Sequence, residues 1–169
     1  MPLVLYRIDD RLIHGQVVVG WGRPLDVSFL VLVDDEVAAS EWEQELYRMA
    51  VPPEMDVVFA SVEDAARQHA AFRADRRAGM LLTGNVAAMR ALVDAVAATD
   101  PAGAVHAVNI GGLHHRPGRV QRMRYVFADA DEERELRAIA AAGVAVTAQD
   151  VPNARPVPLA DVLSGRADG

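Results

Sequence analysis

Hydrophobic positions along the chain fall into short unbroken runs, each closed by polar or glycine residues and most followed by a stretch with helical spacing. Leu3-Val4-Leu5-Tyr6-Arg7-Ile8 ends in Asp9-Asp10, and Phe29-Leu30-Val31-Leu32-Val33 ends in Asp34-Asp35-Glu36. Runs of this length and composition predict strands buried on both faces. Ser40 with Glu43 three residues on is a capping-box pattern; Trp42, Leu46 and Met49 follow at helical spacing until Pro52-Pro53 stops the helix. The alternation repeats with a strand at 56–60 and a helix capped by Ser61 that runs to about Asp75. It repeats again with a strand at 79–83 and a helix from about Asn85 that carries Val86, Met89, Val93 and Val96 on one face. A fifth strand is predicted over 105–110, closed by Gly111-Gly112.

Strands alternating with helices in this way predict right-handed βαβ units and a mainly parallel open sheet with helices on both faces. Beyond His114-His115-Arg116-Pro117-Gly118 the order changes: 123–127 reads as a strand, 131–142 as an amphipathic helix, 144–147 as a short strand, and 159–163 as a last helical turn. These later strands are expected to extend one edge of the sheet, in parallel or antiparallel sense. No linker, low-complexity tract or repeat beyond the βα alternation interrupts the chain, so residues 1–169 are expected to form a single α/β domain.

Composition narrows the function. The net charge of −7, from 17 Lys and Arg against 24 Asp and Glu, argues against a nucleic-acid partner, because that binding rests on neutralising phosphates. There is no cysteine, which excludes disulfides, thiolate metal sites and thiol nucleophiles and fits a reducing cytoplasm. Charge arrives too early at the N-terminus for a signal peptide, and no apolar run approaches the roughly 20 residues needed to cross a bilayer. No pair of the five histidines has the spacing that puts two metal ligands on one helix face, and no cofactor motif is present: Gly111-Gly112 matches neither a dinucleotide fingerprint nor a Walker loop.

In an open parallel sheet, ligands bind at the carboxyl ends of the strands. The polar residues there are Asp9, Asp10, Arg11, His14, Gly15 and Gln16 after the first strand, Asp34-Asp35-Glu36 after the second, Gly84-Asn85 after the fourth and Asn109 to Gly112 after the fifth. A histidine at a helix N-terminus is well placed to hold a phosphoryl group, since the free backbone N–H groups and the dipole favour negative charge. Arg11 offers a forked contact to the same phosphate, and an acid can orient the imidazole so that its other nitrogen attacks. The same residues also fit a solvated turn with an ion pair and a capping histidine, and Val17-Val18-Val19 fits a strand by periodicity. Asn109-Ile110-Gly111-Gly112 fits either a tight turn or a backbone cradle for an anion. Of the other histidines, His69 is expected to be exposed on a helix and His106 packed within a strand, while His114-His115 follow the glycine turn at the reactive end of the sheet.

The run Arg7-Ile8-Asp9-Asp10-Arg11-Leu12-Ile13-His14-Gly15-Gln16-Val17 closely resembles the signature around the phosphorylated histidine of enzyme IIB subunits of the mannose/fructose/sorbose phosphotransferase family. Trp21, residues 33–38, Pro52-Pro53, residues 108–112 and residues 143–152 continue the resemblance across nearly the whole chain. It implies a mainly parallel sheet of about seven strands. It also implies a phosphocarrier, needing no metal or nucleotide, that takes a phosphoryl group from a IIA partner and passes it to a sugar held by membrane IIC and IID partners. Such a subunit is cytoplasmic and peripheral to the membrane. By position, His14 is then the nucleophile and Arg11, with the backbone at Gly15 and Gln16, binds the phosphate. Asp9 and Asp10 shape the loop and Asn109, Gly111 and Gly112 flank it. Two other readings stay open: a phosphorylatable regulatory module without sugar transport, and a domain that binds a phosphorylated metabolite without reacting.

Overall fold

In the computed structural model, residues 2–165 are described. Strands β1 (Leu3–Asp9), β2 (Val27–Val33), β3 (Asp56–Ala60), β4 (Ala78–Thr83), β5 (Ala107–Gly112), β8 (Ala145–Ala148) and β9 (Val157–Pro158) form one sheet in the order β3-β2-β4-β1-β5-β8-β9. Every neighbouring pair is parallel except β8 with the short edge strand β9, which is antiparallel. The seven-stranded, mainly parallel sheet with an antiparallel edge is the expected architecture.

The sheet is apolar on both sides because its central strands are continuous hydrophobic runs. One face carries Ile8, Phe29, Val31, Leu81 and Ile110 and is covered by residues of α3 (Val62–Ala74), α4 (Val86–Thr99), α5 (Ala130–Ala141) and α6 (Leu159–Leu163). The other carries Leu30, Leu32, Met80 and Leu82 and is covered by a π-helix (Gln16–Gly22) and by Val37 of α1 (Asp35–Ala38), with Tyr47 of α2 (Glu41–Met49) at its margin. Helix starts follow from capping: the side chains of Asp34, Ser40, Ser61 and Asn85 each accept a backbone N–H of the first turn, and Asp129 with Glu132 forms a full capping box.

The topology places the site. The connection leaving β1 crosses one face of the sheet and the connection leaving β4 crosses the other, so the two chains part above the carboxyl end of β1, at the centre of the sheet. Ligands of doubly wound sheets bind in such a crevice.

Three expectations are corrected. The strand expected at 123–127 is a hairpin outside the main sheet, β6 (Val120–Met123) paired with β7 (Val126–Ala128), held to the end of β5 by backbone bonds between Leu113 and both Tyr125 and Phe127. His69 is fully buried, because Tyr6 and Asp100 supply its ring with partners. His106 is exposed, since β5 starts one residue later. The helix expected after Ser40 is present as α2, and the side of it that carries Trp42, Leu46 and Met49 faces outward at 71%, 48% and 82% exposure.

Candidate active site

Asp9 closes β1 with its side chain wholly buried, and three cationic or cation-capable groups converge on its carboxylate. His14 Nε2 lies 3.1 Å from Oδ2. Arg11 donates from Nε to Oδ1 and from Nη2 to Oδ2, both at 3.2 Å, and its backbone N–H adds a bond of 3.1 Å to Oδ1. Arg7, two residues back and wholly buried on the same strand, reaches Oδ2 from Nη2 at 3.4 Å. Burial alone would push the Asp9 carboxyl up, but the bonds from His14 and Arg11 outweigh it and hold the group at about 2. Asp9 is therefore ionised and can only accept, so His14 donates Nε2–H to it and keeps its lone pair on Nδ1.

The loop is shaped by local geometry. Leu12 N–H donates to Asp9 O at 2.9 Å, closing a tight turn, and Leu12 itself adopts a φ of +58°. A branched side chain in the left-handed region is strained, and such strain persists only where the surroundings over-determine it. Here the surroundings are the core: Leu12 and Ile13 are both buried, turning His14 outward with about a fifth of its side chain exposed. The π-helix begins directly afterwards. The valine run that fits a strand by periodicity is wound instead, with Val17, Val18 and Trp21 packed onto the sheet. π-Helical turns are rare and frequent at functional sites.

Below the loop, Arg7 is the hub. Its guanidinium donates to Asn109 Oδ1 at 2.6 Å and to the carbonyls of Gln149 and Asp150 at 3.0 and 3.3 Å, and lies 4.8 Å from the centre of the Trp21 ring system. Burial pulls this guanidinium below its ordinary value while Asp9 pulls the other way. Gly111 is required here, because a Cβ at that position would overlap the Arg7 guanidinium. Trp21 Nε1 and Gln16 Nε2 both donate to Asp150 O, at 2.9 and 3.1 Å, which ties the π-helix to the loop after β8.

The nine residues singled out in the sequence thus come together in one place, in different positions. Arg11, His14 and Gln16 keep part of their surface exposed; Gln16 Oε1 accepts from Arg11 Nη2 at 3.1 Å. Gly15 opens onto free space, with no atom within 4 Å of where a Cβ would point. Asp9, Asn109 and Gly111 lie beneath, Gly112 flanks the Asp9 carboxylate, and its carbonyl accepts from Asp10 N at 3.0 Å. Asp10 turns away from His14 towards His114, whose N and Nδ1 lie 2.7 and 2.5 Å from its carboxylate. Arg7, Trp21 and Asp150 were not among the predicted site residues. Arg7 reads as a strand residue, and the signal that could have found it is a charge inside an otherwise apolar buried run, which demands a partner. Among the described residues, no helix is long and apolar enough to cross a membrane.

Residues 3–168 match the family described as PTS system sorbose subfamily IIB component. The chain is 30% identical over 168 residues to the PTS system sorbose-specific EIIB component of Klebsiella pneumoniae, covering 99% of this chain and 98% of that protein. It is 31% identical over 167 residues, or 97% of its length, to the PTS system mannose-specific EIIAB component of Escherichia coli strain K12, but spans only 49% of that relative. The crystal structure of the IIBSor domain of the sorbose permease from Klebsiella pneumoniae superposes with a TM-score of 0.85 at 28% identity, covering 99% of each chain.

Proposed function

The chain belongs to the sorbose subfamily of phosphotransferase-system IIB components, and on that premise we propose that it is a phosphocarrier whose His14 accepts a phosphoryl group from a IIA protein and passes it to a sugar. The observation that carries the reading is the bond between His14 Nε2 and the ionised Asp9 at 3.1 Å. It fixes the tautomer that leaves a nucleophilic lone pair on Nδ1, and it favours the imidazolium-like charge that develops as nitrogen bonds phosphorus.

In the first step the N–P bond of the donor phosphohistidine breaks as a bond from His14 Nδ1 to phosphorus forms. In the second, that bond breaks as a sugar hydroxyl oxygen takes the phosphorus and its proton is released. Such transfers ask for positioning and charge neutralisation more than for bond chemistry. Arg11 swings from Asp9 or shares itself with the phosphoryl oxygens, and the backbone N–H groups at Gly15 and Gln16 start a helix beside them. The partners are a IIA donor and membrane IIC and IID subunits holding the sugar, on the cytoplasmic side of the membrane.

The test is phosphorylation from phosphoenolpyruvate, the general phosphotransferase proteins and a IIA protein, with wild type beside His14→Ala and Arg11→Ala. Acid-labile, alkali-stable label on wild type and none on His14→Ala is expected, with Arg11→Ala slower by about 100-fold. Absence of label on the wild type while IIA is phosphorylated overturns the reading.

A further inference from the structure

Resting on the reading that His14 carries the phosphoryl group, we propose that His114 is a second phosphoryl-binding side chain, which takes up a proton from solvent when His14 is phosphorylated. The adjacent aspartates at the end of β1 each hold one histidine. Asp9 holds His14, while Asp10 lies 2.5 Å from His114 Nδ1 and accepts from the His114 backbone N–H at 2.7 Å. The second pair is braced. Arg119, almost fully buried, donates to the His114 carbonyl at 2.7 Å and to Asp10 at 3.4 Å, and forms a double bond pair with Glu132 of α5 at 2.8 and 2.7 Å. Main chain and ring of His114 are therefore both fixed, although half its side chain is exposed.

The ring faces the site. The point where a Cβ on Gly112 would sit lies 3.3 Å from His114 Cε1, 3.4 Å from Arg11 Nη2 and 3.4 Å from Asp9 Oδ1. His114 Nε2, bonded to Cε1, has no hydrogen-bond partner among the described residues. Charge balance then says what it is for. The charged groups at this end of the sheet form two separate sets of ion pairs: Arg7 and Arg11 on Asp9, and Arg119 between Asp10 and Glu132. The first set carries one positive charge in excess, one fewer than a phosphoryl dianion needs for neutrality. A protonated His114 supplies the second positive charge, and Asp10 on its Nδ1 side with a phosphoryl group on its Nε2 side both favour the imidazolium. The N–P exchange itself consumes no proton, so the one on His114 Nε2 is additional and couples loading to pH.

The test follows histidine ring signals by 15N NMR in the full chain, before and after phosphorylation from phosphoenolpyruvate through a IIA protein. The expected result is that the His114 ring titrates at a pH about one unit or more higher in the phosphorylated protein. His114→Gln, which keeps a donor without the charge, and His114→Ala are both expected to load about tenfold less favourably below neutral pH and to lose the pH dependence of loading. Label on wild-type His14 with an unmoved His114 titration, or variants that load like wild type at every pH, overturns the proposal and leaves the phosphocarrier reading intact. Absence of label on wild type overturns both.

Discussion

Arg7 and Asn109 meet across the seam between β1 and β5, with the guanidinium Nη1 2.6 Å from the amide oxygen, and neither residue has more than a trace of exposed surface. The same guanidinium reaches the Asp9 carboxylate that orients His14. A buried cation of this kind joins the sheet core to the loop that carries His14. Removing it leaves Asp9 buried with less compensation, and breaking a buried pair in this way costs about 3–5 kcal/mol. Arg7→Met is therefore expected to lower the unfolding free energy measured in urea by that amount and to slow phosphoryl acceptance. Arg7→Lys is expected to recover little of either, since one ammonium cannot reach Asn109, Asp9 and two carbonyls from one position.

Asp9 makes stability depend on acid. Its folded value of about 2 lies below the usual 3.8, so the folded state favours the ionised form. The resulting contribution, roughly 2 kcal/mol, is present above pH 4 and is lost as pH falls through the folded value. Asp9→Asn is expected to remove that dependence, giving a flatter stability curve between about pH 4 and 2 in thermal melts. It also frees His14 Nε2 from an acceptor of fixed charge, so phosphoryl acceptance is expected to fall at neutral pH even where the variant is folded.

Much of the site was legible in the sequence because its residues are local. Asp9, Arg11, His14 and Gln16 lie within eight positions, and the strand that delivers them is an unbroken apolar run. Capping explains why the helices starting after Ser40, Ser61 and Asn85 were placed correctly: each start is a side chain bonding its own first turn. What periodicity could not supply was pairing over long separations. Arg7 meets Asn109 from 102 residues away, His114 meets Asp10 from 104, and Gln16 meets the Asp150 carbonyl from 134. His69 escapes the sequence for the same reason. His69 sits among polar neighbours in sequence, yet it is buried because Tyr6, 63 residues earlier, lies against it.

That pair lends itself to measurement. Tyr6 Oη lies 2.7 Å from His69 Nε2, and burial, with Arg73 opposing and Asp100 adding, pushes the phenol up to about 12. Absorbance titration in alkali should show one of the three tyrosines ionising near that value, and Tyr6→Phe should abolish this late phase. The same substitution leaves His69 buried with one ring nitrogen unpaired, at an expected cost of about 1–3 kcal/mol in urea denaturation. Because the cluster lies on the α3 side of the sheet, away from His14, phosphoryl acceptance is expected to stay near wild type once folding is accounted for.

Leu12 sets two opposing effects against each other. Its φ of +58° costs about 1–2 kcal/mol for a residue with a Cβ, and glycine would remove that strain. Against this, Leu12 is buried, and its Cδ2 would lie 2.7 Å from a Cβ placed on Gly84, so the loop after β1 packs directly on the loop after β4. Truncating a buried leucine costs about 3–5 kcal/mol, and glycine adds about 1 kcal/mol through the freedom it gives the unfolded chain. Packing wins: Leu12→Gly is expected to destabilise by roughly 2–5 kcal/mol in spite of the relieved backbone. The loop that presents His14 is held by that packing, so slower phosphoryl acceptance should accompany the loss. A variant more stable than wild type would show that strain, not burial, governs the turn.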